Sequence, residues 1–355
     1  MVSCEEQPEP LLKPTESSLI DVDAVKFAQE NLKSYGKSIL SFQTEIKFKK
    51  DLYSLIEESF DGERNVLFKT LLQEEKNPIN SRNLTNKLNK VSPTVLNAFD
   101  NIAGKNYFPQ VFIPFYDVLK EKRKLSVKPP IVVIYTNDSP NSFYQGYSLD
   151  SEDNLIEIKE LISEEYAKEN EVWVISINER VDNNGNPLAI YEKNDSNSGR
   201  TMASPSAIVD QMKCKCHKES WTAGASEVNI ITIASDFGFF EYDINLYGKG
   251  DNEGGEIYKF SRSDVSNNRN KDLNFYIVND WDERAPNKPY GSYVIFEYDT
   301  WPTGKRTASW ELGGATLNWE YRSADGYYAK QTVFKTNFAF HNVNNDCIEW
   351  SSQYQ

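Results

Sequence analysis

Two nearly uninterrupted apolar runs, Ile131-Val132-Val133-Ile134-Tyr135 and Val172-Trp173-Val174-Ile175-Ser176-Ile177, constrain this chain more than any other feature. A short continuous run rich in β-branched residues belongs to a strand covered on both faces, and such strands pair as parallel neighbours. Parallel neighbours need a crossover between them. After a polar loop, the stretch Ile156 to Glu169 reads as the crossover helix, so strand, helix and strand are expected between Ile131 and Ile177. Asn178-Glu179-Arg180 closes the second strand, and Asp182-Asn183-Asn184-Gly185-Asn186-Pro187 is a turn cluster.

The pattern differs on either side of this unit. From Asp21 to about Gln73 apolar residues recur at helical spacing, through Val22, Val25, Phe27, Ala28 and Leu32 and on through Ile39, Phe42, Ile46, Leu52, Leu55 and Ile56. Ser17-Ser18 with Asp21 and Asp23 supplies the cap and the acidic first turn. Phe60-Asp61-Gly62 breaks the run, Pro78 ends the next helix, and Leu84, Leu88, Val91 and Val95 suggest another before residue 125. Up to Lys124 the chain reads as all-α.

Beyond Trp221 the period becomes two. Phe240, Tyr242, Ile244 and Leu246 alternate with Glu241, Asp243 and Asn245, and later runs (Leu273 to Val278, Tyr293 to Tyr298, Ala315 to Tyr321, Tyr327 to Phe340) are spaced by turn residues, the pattern of an antiparallel β-sandwich. Within it, Phe275 to Pro302 reads as two strands closing over the acidic turn Asn279-Asp280-Trp281-Asp282-Glu283. With 355 residues there is room for two or three cores. The expected fold class is therefore α+β: a tether at 1–20, a helical region at 21–125, a small α/β region at 126–220 and a β-sandwich at 221–355.

Lys+Arg 39 against Asp+Glu 53 leaves a net charge of −14, which repels nucleic-acid phosphates and disfavours DNA or RNA as a partner. The chain has no apolar run of the length that spans a bilayer as a helix. Val2-Ser3-Cys4, followed by an acidic, proline-containing stretch, resembles the end of a bacterial lipoprotein signal in which Cys4 is lipidated; a chance cysteine is the alternative. The segments Phe60-Asp61-Gly62-Glu63-Arg64-Asn65-Val66-Leu67, Val174-Ile175-Ser176-Ile177-Asn178-Glu179-Arg180 and Phe296-Glu297-Tyr298-Asp299-Thr300-Trp301-Pro302 resemble those of uncharacterised lipoproteins of Bacteroidota-type bacteria. That resemblance implies an envelope location, with membrane attachment only through Cys4, and adds no reaction.

Candidate chemistry concentrates on carboxylates. Asp251, Glu253 and Glu256 lie in a glycine-rich loop, while Asp280, Asp282, Glu283 and Asp299 fall at expected strand ends. Calcium takes oxygen ligands of this kind, and Asp280-x-Asp282 with Asp299 after the next strand resembles the calcium loops of C2-type sandwiches. A solvated acidic turn is the competing reading. Apart from Cys4, three cysteines remain of the four in the chain, Cys214, Cys216 and Cys347. One disulfide with one thiol is expected; Cys347 with one of the pair is favoured, because a bond across a single residue is strained. Cys214-x-Cys216-His217 also offers zinc ligand types, with Cys347 and His341 as further donors.

Two histidines leave few bases for a nucleophilic triad. A carboxylate pair for glycoside hydrolysis leaves no spacing in a sequence to recognise. Trp281, Trp301, Trp310, Trp319, Tyr290 and Tyr298 suit either a stacking platform or the sandwich core. The expectation is an envelope lipoprotein without catalytic activity, acting in binding or structure on a protein or glycan partner, with calcium as the one candidate cofactor. The alternative is a hydrolase of glycans or peptides with a carboxylate pair at the domain junction.

Overall fold

The computed structural model describes residues 22–73, 78–91, 94–102, 105–135, 143–188, 207–216, 220–224, 226–235, 244–247, 256–278, 290–297, 301, 306–312, 315–321, 327–334, 341–344 and 346–354. Its first elements are two amphipathic helices, α1 (Val22–Leu40) and α2 (Ile46–Glu57). On α1 the buried residues Ala28, Leu32, Tyr35 and Ile39 recur every three or four positions. Gly36 falls on the same stripe, and a Cβ there would lie 3.0 Å from both Ile134 Cδ1 and Val132 Cγ1. The helix can lie this close to the strand beneath it because that side chain is missing.

After a turn at Ser59–Gly62 come β1 (Asn65–Leu67), α3 (Phe68–Leu71), α4 (Pro78–Val91), a 3₁₀ turn at Val95–Asn97, β2 (Phe108–Phe112) and α5 (Tyr116–Glu121). Pro78 opens α4, a position where its missing N–H costs nothing. The chain continues through β3 (Ile131–Ile134), β4 (Phe143–Leu149), β5 (Leu155–Ser163), α6 (Glu164–Glu169) and β6 (Val172–Asn178). These strands form one six-stranded sheet in the order β1-β2-β6-β3-β4-β5. β3 and β6 are parallel neighbours, from Ile131 opposite Val172 to Ile134 opposite Ile175, and the other pairs are antiparallel.

The crossover between them is not the expected helix over Ile156 to Glu169. Asp150 Oδ1 accepts the N–H groups of Glu152 and Asn154, both at 2.8 Å, and this turn sends the chain back as β5 against β4. Gly146 admits β5: its Cβ would lie 2.7 Å from Ile158 Cδ1 and 2.8 Å from Ile162 Cγ1. Ile158 and Ile162, within the stretch expected to be helical, fill that gap. Only Glu164–Glu169 is helical, with the Ser163 hydroxyl accepting the Tyr166 N–H at 3.2 Å.

Nor is the region before residue 125 all-α. β1 is too short for a periodicity to register, and β2 contains Pro109, which argues against a strand. The structure accommodates it: β1 stops opposite Gln110, so at Pro109 β2 has a neighbour on one side only. The boundary expected near residue 125 therefore runs through a single sheet. Trp173, Ile175 and Ile177 of β6 pack with α1, α2 and α4, whereas Val172 and Val174 pack on the other face with Ile162, Ala167 and Trp221. Two covered faces explain why β6 is apolar along its length.

The remaining strands are β7 (Ala207–Cys214), β8 (Ser226–Ser235), β9 (Ile244–Tyr247), β10 (Glu256–Phe260), then the short helix α7 (Arg262–Ser266), β11 (Lys271–Val278), β12 (Tyr290–Glu297), β13 (Arg306–Leu312), β14 (Ala315–Tyr321), β15 (Tyr327–Phe334), β16 (His341–Asn344) and β17 (Ile348–Tyr354). One sheet runs β10-β8-β12-β15 with β9 also on β8, a second runs β11-β7-β17-β16, and β13 pairs with β14. The class is thus a mixture of helices and sheets, with antiparallel sheets in the C-terminal part.

Two expectations change here. β11 and β12 do not close over the acidic turn as a pair: β11 lies beside β7, and β12 lies between β8 and β15 in the other sheet. Period-two alternation fixes the face of a strand and leaves its neighbour open. The boundary expected at residue 220 separates β7 from its partners β11 and β17. A disulfide joins Cys216, just after β7, to Cys347, just before β17, while Cys214 is buried outside that bridge.

Candidate functional site

Helix α2 carries two stripes. Phe48, Leu52 and Ile56 face the core. Ile46, Lys49, Lys50, Tyr53, Ser54 and Glu57 recur at the same helical spacing on the flank and form one wall of an open groove of about 860 Å³. The opposite wall is Leu125–Pro129, the segment that feeds β3, and Tyr116 and Lys120 of α5 contribute from the side. A volume of this size lies within the range of about 300–1,000 Å³ usual for small-molecule sites.

Below the groove lies a buried carboxylate. Glu171, one residue before β6, is 5% exposed. Its Oε1 accepts the Tyr53 hydroxyl at 2.6 Å and the Trp173 indole N–H at 2.7 Å, and its Oε2 accepts the Ser126 backbone N–H at 2.8 Å. Lys49 Nζ stands 3.8 Å from Oε2, with both side chains almost fully covered. One acid thus fixes both walls. The Tyr53 phenol is pushed well above its ordinary pKa, first by burial and then by the negative charge of Glu171.

Ser126 carries backbone strain, with φ at +61°, where non-glycine residues are rare. Its N–H to Glu171 and its hydroxyl contact to Tyr53 at 2.9 Å hold it there. Such strain persists only where the surroundings over-determine it, and it clusters at binding and catalytic sites.

At the outer end of the groove, Glu57 accepts from Tyr116 at 2.6 Å and from Lys120 at 2.7 Å. Lys120 first and then Tyr116 hold its carboxyl below the usual range, and the Tyr116 phenol is raised, chiefly by burial. Glu57 and Glu171 are thereby engaged. Lys50 and Lys128 both line the groove, are exposed and have no ion-pair partner among the described residues. Beyond the N-cap Glu45 the first turn of α2 contains no acidic residue, and Lys47, Lys49 and Lys50 follow at its positive end. On a chain of net charge −14 this is a local reversal of sign.

At the carboxyl ends of β3 and β6, where parallel sheets commonly take ligands, the described residues leave only a narrow crevice. The crevice there, lined by Gln110, Tyr135, Ser176, Glu179, Arg180 and Trp301 among others, holds about 20 Å³. Glu179 accepts the Trp301 N–H at 2.7 Å, and Glu63 is paired with Lys259 at 2.7 Å. Asp61 accepts amide N–H groups from Asn65 and Asn178 at 2.9 and 2.8 Å. Each of these junction carboxylates is tied to a fixed partner.

Of the residues singled out from the sequence, Cys4, Asp251, Glu253, Asp280, Asp282 and Asp299 lie outside the described residues, as do Glu283, His217, Trp281 and Tyr298. Trp301 is 4% exposed and packs edge-on against Tyr107 at 4.8 Å, so it belongs to the core and to no open platform. Cys216 and Cys347 are bonded, and the Cys214 thiol donates to the Cys216 carbonyl at 3.3 Å. Among the described residues no group of three or more His, Cys, Asp or Glu side chains is placed to hold a metal, and no helix is long and apolar enough to cross a membrane. The groove residues escaped the sequence reading, although Lys49-Lys50 with Tyr53 and Glu57 on a second helical stripe was a visible signal. No protein-family model, curated protein or solved structure matches the chain.

Proposed function

We propose that this chain is a non-catalytic binding protein of the bacterial envelope whose groove between α2 and residues 125–129 takes an anionic ligand. The observation that carries the reading is the reversal of sign: Lys50 and Lys128, both exposed, line a groove of about 860 Å³ on a chain of net charge −14. Glu57 and Glu171 are held by hydrogen bonds and ion pairs, which suits a scaffold rather than an acid or base awaiting a substrate. The runner-up, a hydrolase at the junction, would need room for a glycan or peptide where the crevice holds about 20 Å³.

Titration calorimetry with citrate at low salt tests it. Saturable binding is expected, weakened at least tenfold by Lys50→Glu with Lys128→Glu and by raising the ionic strength. Binding that ignores both changes, or no binding, refutes the reading.

The envelope assignment rests on the Val2-Ser3-Cys4 pattern and on the lipoprotein-like segments; labelling cells with a lipid precursor, before and after Cys4→Ala, decides it. For the C-terminal part the proposal is a C2-like sandwich, supported by two antiparallel sheets, β10-β8-β12-β15 with β9 and β11-β7-β17-β16, between which the chain passes more than once. Calcium at Asp251, Glu253, Asp280, Asp282 and Asp299 belongs to the same proposal. A rise in melting temperature with calcium concentration supports it, and an unchanged melting temperature counts against it.

A further inference from the structure

Charge is half of what the groove offers. Ile46, at the start of α2, is 85% exposed and Val127, on the facing wall, is 67% exposed, the two most exposed large apolar side chains among the described residues. Both line the groove, and Leu125 and Pro129 add to its apolar lining. Around this strip stand the ammonium groups of Lys50 and Lys128, with Lys120 already engaged by Glu57. Leaving Ile46 and Val127 in water forgoes the favourable burial of two large apolar side chains. A solvated lysine face would need neither residue, and an apolar interface with another protein would be depleted of lysines at its centre. An occupant that satisfies both has an anionic head and an aliphatic body.

Resting on the anionic-ligand reading above, we infer that the groove binds a monoacyl anion, a carboxylate on an unbranched alkyl chain, with the head between Lys50 and Lys128 and the chain along Ile46, Leu125, Val127 and Pro129. The side chains at the groove mouth are exposed and the floor is the fixed lattice of Tyr53, Ser126 and Glu171, so the site is preformed. Preformed walls reduce the ordering cost of binding.

The experiment uses the full chain and dodecanoate below its micelle-forming concentration, with acetate, citrate and dodecyltrimethylammonium as comparators, far-UV circular dichroism confirming that the fold is retained. Dodecanoate is expected to bind at least tenfold more tightly than citrate, dodecyltrimethylammonium not to bind, and both Lys50→Glu with Lys128→Glu and Ile46→Ser with Val127→Ser to weaken dodecanoate at least tenfold. Dodecanoate binding no more tightly than citrate overturns the acyl component and leaves the anion groove standing; if neither anion binds, both readings fall. Equal binding of the cationic detergent reduces the site to apolar contact and overturns the proposal. Co-sedimentation with phosphatidylglycerol vesicles, without binding of dodecanoate monomer, assigns the face to a membrane surface and also overturns it.

Discussion

Replacing Glu171 by Gln changes one atom and should loosen both walls of the groove. The amide oxygen can still accept from Tyr53 and Trp173, which now meet a neutral acceptor in place of a charged one. Hydrogen bonds to charged groups contribute about 1.5–3 kcal/mol and neutral ones about 0.5–1.5, so these two contacts lose about 2 kcal/mol together. The amide nitrogen turns two hydrogens toward the Ser126 N–H, a donor against a donor, and because that N–H is only part-buried its loss sits at the lower end of the about 1–3 kcal/mol that an unsatisfied N–H costs. Lys49, 9% exposed at its side chain, loses its counter-charge. The total is about 3–5 kcal/mol, the range found when one partner of a buried ion pair is removed.

Because the chain has more than one sheet, local opening is the appropriate measurement. Hydrogen exchange of the β6 amides, followed by mass spectrometry on peptides covering residues 172–178, should quicken by about two to three and a half decades, since 1.4 kcal/mol is about a factor of ten. The double variant with Lys49→Met should exchange more slowly than the two single effects predict together, because each single change leaves the other charge uncompensated. Protection of β6 within threefold of the parent in Glu171→Gln would refute the claim that this carboxylate ties the groove to the sheet.

Other consequences are independent of the groove. Gly146→Ala should destabilise by about 1–3 kcal/mol, read as a lower urea midpoint, because the new methyl meets Ile158, Ile162 and Ile131 at 2.7 to 2.9 Å; a neutral outcome would mean that β5 is not seated as described. Cys216→Ser with Cys347→Ser opens a link across a sequence separation of 131, worth about 5 kcal/mol by the chain-entropy account, so reductant should lower the melting temperature of the parent and leave that of the variant unchanged. Tyr35, Tyr53 and Tyr116 keep their protons above the ordinary value of 10.0, burial being the first cause in each. A raised folded-state pKa gives stability that is complete below the unfolded value and is lost as the pH climbs past it, so the melting temperature should fall above about pH 10, less steeply in Tyr53→Phe. At the acid end, burial would raise the carboxyls of Glu164 and Asp264, but Lys168 and Arg262 around the first, and Ser261 and Lys271 around the second, hold both below their ordinary values. Their contribution is complete above about pH 5 and is lost as the pH falls below about 4, a loss that Arg262→Gln should diminish.

What the sequence made legible follows from what each pattern encodes. β3 and β6 were legible as parallel neighbours because burial on both faces leaves a continuous apolar run rich in β-branched residues. β5 was not, since Leu155, Ile156, Ile158, Leu161 and Ile162 fit a helical stripe as well as a strand. What decides between them is Gly146, distant in sequence, whose missing side chain admits Ile158 and Ile162. The groove was hidden for a related reason. α2 satisfies the core with Phe48, Leu52 and Ile56, and once that stripe accounts for the helix the remaining lysines and tyrosine look like a solvated face. Their role depends on Glu171 and Ser126, which reach Tyr53 across separations of 118 and 73 residues. A sequence does, however, mark where a local rule is broken. Lys49 is offset by Glu171, but Lys47 and Lys50, near the start of a helix whose nearest acid is the N-cap Glu45, oppose the helix dipole at about 0.3–1 kcal/mol each, on a chain with acidic residues in excess. Local choices that work against stability without a packing reason fall at functional sites, which makes that lysine cluster a better guide to the groove than the acidic turns that dominate the composition.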